Sequence, residues 1–144
     1  TAFFSPSVLG HGERVLVVED EPGARAGLHD LLEILGFRVT ACASAEEALA
    51  LAPQPTFTLL LTDLLLPGIH GGELAERLRA QWPDLKVIVM SGYSQDDRVH
   101  RAVRESRIRF LQKPFSIADL SREISLVLSG EGGRRRGTFG CAPG

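Results

Sequence analysis

Five polar side chains stand directly after short apolar segments of the chain. Glu19 and Asp20 follow the first segment, Asp63 the third, and Ser91 and Lys113 the fourth and fifth. If folding gathers the three carboxylates, a pair about 4 Å apart repels by about 4 kcal/mol at an effective dielectric constant near 20. One acid must then be protonated, or a cation must bind. Oxygen ligands with open positions favour Mg²⁺. The ammonium of Lys113 and the hydroxyl of Ser91 beside that ion would complete a pocket for a phosphoryl group, which predicts phosphoryl chemistry on Asp63.

Each of these residues also has a simpler explanation when it is taken alone. Glu19 and Asp20 can be acids that the dipole of a following helix favours. Asp63 can be a turn residue, Ser91 a turn hydroxyl and Lys113 a solvated charge. Their joint occurrence, each at the C-terminal end of a predicted strand, favours the functional interpretation.

The elements that must position these residues alternate between strand and helix patterns. Strands are predicted at residues 14–18, 37–42, 57–62, 85–90 and 108–111. The apolar face formed by residues 28–35 predicts a first helix, and a capping box at 44–47 predicts the start of a second. Further helices are predicted over residues 73–82, 96–106 and 117–128, the last capped by Ser116. This alternation predicts an α/β fold, a doubly wound parallel sheet covered on both faces. In such sheets ligands bind off the carboxyl ends of the strands.

Length and composition indicate a single globular domain. The chain has 144 residues, 44% of them hydrophobic, and a formal net charge of −2. We predict a linker over residues 1–13, a folded domain over 14–129 and a flexible tail over 130–144. Because the first residue is not Met, we expect a trimmed chain or a piece of a longer one.

Charge, cysteine content and hydropathy exclude several classes of protein. The near-neutral charge argues against direct nucleic-acid binding, which needs an excess of Lys and Arg. Two cysteines are too few for a disulfide framework or a thiolate zinc site, which favours a reducing compartment. No apolar run approaches the roughly 18 residues of a membrane span, and the N-terminal residues do not form a signal peptide. We therefore expect a cytoplasmic domain that makes no membrane contact itself.

Four motifs in order carry a resemblance to a known family. The strings are VLVVEDEP at residues 15–22, LTDLLLPG at 61–68, VIVMSGY at 87–93 and FLQKPF at 110–115. Together they resemble the receiver domains of response regulators, over about residues 14–129. The resemblance implies a five-stranded, flavodoxin-like (βα)5 fold with the strand order 2-1-3-4-5. It also implies membership of a two-component phosphorelay.

The resemblance assigns roles to the acids. It implies that Asp63 is the phospho-acceptor, which receives a phosphoryl group from a histidine of a kinase or phosphotransfer partner. It implies that Asp20, Asp63 and the backbone carbonyl of Leu65 ligate Mg²⁺, while Glu19 acts largely through water. The domain then catalyses only its own phosphorylation and dephosphorylation, and whether its parent chain is a histidine kinase stays open.

The remaining implied roles concern a conformational switch. Ser91 corresponds to the switch hydroxyl, Lys113 to the phosphoryl-binding lysine and Phe110 to the switch aromatic residue. On this interpretation phosphorylation draws Ser91 inward and Phe110 follows. The surface made by the helix at 96–106, the fifth strand and the last helix then changes.

Several residues depart from the commonest receiver pattern. Glu19 replaces a more frequent Asp, and Phe110 stands where Tyr is common. His70 is interpreted as a solvated loop residue. Leu65 and Tyr93 lack an acid or amide that could orient water, so we expect phospho-Asp63 to hydrolyse slowly.

The motifs look most like the C-terminal receiver of a hybrid sensor histidine kinase, which places the domain at the cytoplasmic end of a membrane-anchored sensor. The alternatives are a single-domain response regulator and a pseudo-receiver that is never phosphorylated. A phosphatase of the haloacid dehalogenase pattern needs a second acid where Leu65 stands. A weak homodimer is left open.

Overall fold

The computed structural model describes residues 9–51, 56–92 and 108–129. Strands and helices alternate along these ranges. The strands are β1 (Arg14–Val18), β2 (Arg38–Cys42), β3 (Leu59–Asp63), β4 (Lys86–Ser91) and β5 (Arg109–Gln112). The helices are α1 (Pro22–Ile34), α2 (Ala45–Leu51), α3 (Gly71–Gln81) and α4 (Ile117–Leu128). The helix predicted at residues 96–106 lies outside the described residues, as does Tyr93.

The strands form one parallel sheet in the order β2-β1-β3-β4-β5. This confirms the predicted α/β class, the doubly wound flavodoxin-like architecture and the strand order. β3 lies at the centre, and all five of its residues are buried. Its acidic last residue is therefore held at the middle of the carboxyl edge, where the strand order reverses and ligands bind in such sheets.

Apolar side chains cover both faces of the sheet, as parallel strands require. One cluster packs α2 and α3 on one face, and the edge-to-face pair of Phe57 and Trp82, with ring centroids 5.4 Å apart, lies within it. The second cluster packs α1 and α4 on the other face, with Leu32, Leu120 and Ile124 fully buried. Successive apolar residues of β1 and β3 alternate between the two clusters, so Val15–Val18 and Leu59–Leu61 are apolar without interruption.

Three strands, β3, β4 and β5, end one residue later than the sequence predicts. β3 continues to Asp63, which pairs with Met90, and β4 continues to Ser91, which pairs with Gln112. A polar residue after an apolar run looks like the end of a strand, but pairing with the neighbouring strand keeps the backbone extended. Both functional candidates are consequently the last residues of rigid strands.

Local capping explains where the helices begin. Ser116 and Asp119 form the capping box of α4, which confirms the predicted cap. α3 begins at Gly71 because Nδ1 of His70 accepts a hydrogen bond from the backbone N–H of Glu73 at 3.4 Å. His70 is exposed, as expected, and it also caps a helix, which the sequence interpretation did not foresee.

The residues just before β1 are tied to the turn between α1 and β2. Gly10 N–H donates to the carbonyl of Leu35 and Gly12 N–H to that of Gly36, both at 2.8 Å. Gly36 has a φ of 104°, and a Cβ on it would lie 2.5 Å from the carbonyl oxygen of Gly10. The two glycines therefore allow a close backbone contact at the amino edge of the sheet.

In the described parts of the chain, no helix has the length and apolar character that a membrane crossing requires.

Candidate functional site

Three carboxylates meet at the carboxyl edge of the sheet. One oxygen from each of Glu19, Asp20 and Asp63 lies within 4.8 Å of the other two. Glu19 and Asp63 are buried, at 2% and 6% exposure, whereas Asp20 is exposed. Hard oxygen ligands clustered in this way suit a divalent cation such as Mg²⁺, which could reach them from the solvent side beside Asp20.

Lys113 supplies a positive charge next to the two buried carboxylates. Its Nζ lies 2.5 Å from Oδ1 of Asp63 and 3.0 Å from Oε1 of Glu19. Its backbone N–H donates to the carbonyl of Ser91 at 2.9 Å, and the Lys113-Pro114 peptide bond is cis. The ammonium thus bridges the two buried carboxylates, and it can also neutralise a group transferred to Asp63.

This arrangement shifts the proton affinities of the buried groups. Burial raises the pKa of Asp63 to about 7, the neighbouring Glu19 adds to the rise, and Lys113 opposes it. Burial opposes ionisation of Glu19 as well, but hydrogen bonds with Asp63, with the Glu21 N–H and with Lys113 bring its pKa below the ordinary value. Burial would lower the pKa of Lys113, but Asp63 and Glu19 outweigh it and raise that pKa. Of the two buried carboxyl groups, Asp63 therefore holds a proton more readily than Glu19 when no cation is bound.

Backbone contacts fix Glu19 at the end of β1. Its Oε2 accepts from the Glu21 N–H at 3.1 Å, and its carbonyl accepts from Nη1 of Arg25 at 3.0 Å. Its own N–H donates to the carbonyl of Cys42 at 3.0 Å. The longer side chain of Glu, compared with Asp, is thereby held in direct contact with Lys113.

The remaining predicted residues lie on β4, on β5 and in the segment after β3. Ser91 is buried in the last position of β4, next to Met90, which pairs with Asp63. Leu65 follows β3, and its side chain is 59% exposed. Phe110 is half-buried on β5, where it pairs with Val89. The structure thus brings the acids and Lys113 together.

Sequence reasoning missed two residues that contact the backbone of Asp63, namely Thr62 and Gly71. The Thr62 hydroxyl donates to the carbonyl oxygen of Asp63 at 2.9 Å, and Gly71 packs against the same peptide group. The available signals were a hydroxyl residue inside an apolar strand and a glycine at the start of a helix.

Comparison with known proteins agrees with this geometry. The family model for the response regulator receiver domain matches residues 15–125. Response regulator protein FleR of Pseudomonas aeruginosa is 36% identical over 102 residues, covering 71% of this chain and 22% of FleR. Sensor kinase CckA of Brucella abortus is 33% identical over 122 residues, covering 83% of this chain and 13% of CckA. The receiver protein CpdR of the same organism is 34% identical over 118 residues, covering 81% of this chain and 97% of CpdR.

Solved structures of receiver domains also resemble this chain. A CheY-like receiver domain protein of Methanospirillum hungatei has a TM-score of 0.76 at 28% identity, covering 83% of this chain and 95% of that one. The receiver domain of the hybrid histidine kinase CckA has a TM-score of 0.67 at 32% identity, covering 80% of this chain and 98% of that one. The chain spans less than a quarter of the length of FleR or of CckA, namely 22% and 13%. By its motifs, fold and matched residues, the chain belongs to the response regulator receiver domain family.

Proposed function

We propose that Asp63 accepts a phosphoryl group from the phosphohistidine of a partner protein. The observation that carries this proposal is the ammonium of Lys113 beside the buried carboxylate of Asp63, facing a cluster of acids. A carboxylate oxygen of Asp63 attacks phosphorus in line with the leaving nitrogen. The new P–O bond forms as the P–N bond breaks, and the released imidazole nitrogen takes up a proton. Lys113 neutralises oxygens of the transferred group.

The donor set fits Mg²⁺. Asp20, Asp63 and the carbonyl of Leu65 would hold the ion, with Glu19 contributing largely through water. When bound, Mg²⁺ neutralises phosphoryl oxygens and the mutual repulsion of the acids. Glu19 and Lys113, which both contact the Asp63 carboxylate, would keep it oriented.

The proposed output is a change of surface. Ser91 donates a hydrogen bond to the transferred phosphoryl group, and Phe110 turns into the space that its loop vacates. The surface made by the predicted helix at 96–106, by β5 and by α4 then differs between the two states. If the switched conformation is the minor state before phosphorylation, the phosphoryl group must stabilise it relative to the other conformation by about 2–3 kcal/mol or more to make it the major state.

The proposed setting is a hybrid sensor histidine kinase. The match to sensor kinase CckA supports it, and the partner is then a histidine kinase or histidine phosphotransfer protein. The alternative is a single-domain response regulator, which the match over 97% of CpdR supports. We propose a cytoplasmic location in either case, with residues 14–129 as the receiver, 1–13 as a linker and 130–144 as a tail.

The test is phosphorylation of the full chain by acetyl phosphate with Mg²⁺. We expect the wild type and the exposed-site control Asp84→Asn to acquire acid-labile, base-labile phosphate, and Asp63→Asn to acquire none. Excess EDTA should abolish labelling of the wild type. Phosphate retained on Asp63→Asn would refute the assignment. A wild type that is labelled neither by acetyl phosphate nor by a panel of histidine donors would establish the pseudo-receiver alternative.

A further inference from the structure

The peptide group between Asp63 and Leu64 is held by two hydrogen bonds. The Leu64 N–H donates to the carbonyl of Met90 on β4 at 2.8 Å. The carbonyl oxygen of Asp63 accepts from the hydroxyl of Thr62 at 2.9 Å. Thr62 is fully buried, so its hydroxyl is shielded from competing water. The orientation of this peptide is thereby determined by β3 and β4, before any ligand binds.

The first residue of helix α3 lies in close contact with the same peptide. The Gly71 N–H donates to the carbonyl of Leu64 at 2.8 Å. A Cβ on Gly71 would overlap the carbonyl oxygen of Asp63 and would lie 3.1 Å from the carbonyl carbon of Asp63 and from Cα of Leu64. These are backbone atoms of the last residue of a central strand and of the residue after it, so they cannot move aside as the end of a flexible side chain can. Gly71 is also not one of the described glycines with a positive φ, so the contact itself requires the glycine.

The helix cannot easily withdraw to relieve such a contact. Leu74, Ala75 and Leu78 of α3 are fully buried in the cluster on that face of the sheet. Packed interiors transmit a displacement because they contain few voids. A side chain at position 71 would therefore move the Asp63 peptide, the first turn of α3, or both.

We propose that Thr62 and Gly71 are positioning residues for phosphoryl transfer, because they fix the backbone from which the Asp63 carboxylate projects. The proposal rests on the proposed function of Asp63. Neither residue belongs to the acid cluster. They hold the backbone of Asp63 in place. Because the Leu64–Leu65 peptide follows directly, they also influence the position of the Leu65 carbonyl. Displacement of a reacting group by about 1 Å can reduce a rate about 100-fold.

The test compares paired substitutions in the full chain. Thr62→Val removes the hydroxyl at nearly constant volume, and Thr62→Ser restores it. Gly71→Ala adds the conflicting Cβ, whereas Gly72→Ala adds one that meets only the ring of His70, at 3.4 Å. Gly10→Ala creates a comparable conflict, 2.7 Å from the backbone of Gly36, at the opposite edge of the sheet.

The readouts are the rate constant for phosphorylation by acetyl phosphate, the Mg²⁺ dissociation constant from calorimetry, and unfolding in urea. We expect Thr62→Val and Gly71→Ala to slow phosphorylation about tenfold or more. Thr62→Ser and Gly72→Ala should stay within about twofold of the wild type. Gly10→Ala should unfold at lower urea concentration but react at the rate of the wild type.

Three results would overturn the proposal. One is a normal rate in folded Thr62→Val, which decides the matter even if Gly71→Ala does not fold. Another is slowing in Gly10→Ala equal to that in Gly71→Ala, because general destabilisation would then explain both. The third is failure of Thr62→Ser to restore the rate. If the wild type itself is not phosphorylated, the function proposed for Asp63 fails, and the positioning role falls with it.

Discussion

The ammonium nitrogen of Lys113 lies 2.5 Å from a carboxylate oxygen of Asp63, although Asp63 ends β3 and Lys113 follows β5, and these strands are not neighbours. β4 lies between β3 and β5, so Lys113 extends across the end of β4. Its backbone is fixed there by the hydrogen bond to the Ser91 carbonyl. Three adjacent strands therefore determine this one ion pair, and a shift of any of them would alter it.

Replacing Asp63 by Asn should stabilise the metal-free protein at alkaline pH. The pKa of Asp63 is about 7 in the fold, against an ordinary 3.8, so ionisation of its buried carboxylate destabilises the folded state. This cost is absent below about pH 4, grows as the pH rises towards 7, and is complete above it. We expect Asp63→Asn to raise the free energy of unfolding by about 4 kcal/mol at pH 8.

The measurement is urea unfolding in EDTA at several pH values between 4 and 8. The gain of Asp63→Asn over the wild type should shrink as the pH falls and vanish near pH 4. The exposed-site control Asp84→Asn should stay within about 0.5 kcal/mol of the wild type throughout. A gain that does not depend on pH would contradict the raised pKa.

Phospho-Asp63 should be long-lived because the exposed side chain of Leu65 cannot orient an attacking water. Replacing Leu65 with Gln supplies an amide two residues after Asp63, and we expect hydrolysis to become several-fold faster. Leu65→Met is the matched apolar control and should hydrolyse at the wild-type rate. Loss of phosphate is followed after the donor is removed, with Mg²⁺ present and no phosphatase. Rapid loss from the wild type would show that water is activated by another group.

The pair of Phe57 and Trp82 should contribute strongly to stability. Trp82 is buried, and its ring meets Phe57 edge-to-face at an interplanar angle of 65°. We expect Trp82→Ala to lower the free energy of unfolding by about 3–5 kcal/mol. Ile34→Ala is the control, because Ile34 is 63% exposed and its truncation should cost less than about 0.5 kcal/mol. Urea unfolding followed by circular dichroism measures both, and equal losses would contradict the assigned packing.

Cys42 should resist alkylation in the folded protein. Burial raises the pKa of its thiol to about 11, so little reactive thiolate is present at pH 8. We expect iodoacetamide to modify Cys42 slowly in buffer and rapidly in concentrated urea. Peptide mapping by mass spectrometry distinguishes Cys42 from Cys141. Equal rates for Cys42 in both solvents would show that its side chain is accessible.

Local patterns were sufficient to predict most of the fold. The apolar strands, the alternation with helices and the capping box at Ser116 depend on neighbours in the sequence. The ends of β3 and β4 were placed too early because pairing, not residue type, keeps Asp63 and Ser91 extended. The acids and Lys113 could be assigned to one edge because parallel strands bring their carboxyl ends together.

The supporting contacts could not be predicted in the same way. Gly71 is required by the backbone of Asp63, and Gly10 by that of Gly36. Both contacts join segments that are apart in the sequence, and a glycine in a turn or linker gives the same local signal as one in a close contact. His70 likewise caps α3 through a ring nitrogen, whereas Ser, Thr, Asp and Asn are the residues that usually indicate a cap.

The close contact between Gly10 and Gly36 also offers a practical site for a reporter group. It lies at the amino edge of the sheet, and a five-residue strand such as β1 separates that edge from the acids by about 17 Å. A fluorophore attached at the exposed His11 would therefore be carried on an anchored segment, away from the proposed phosphorylation site. Labelled protein should bind its partners unhindered, and the dye would tumble with the domain.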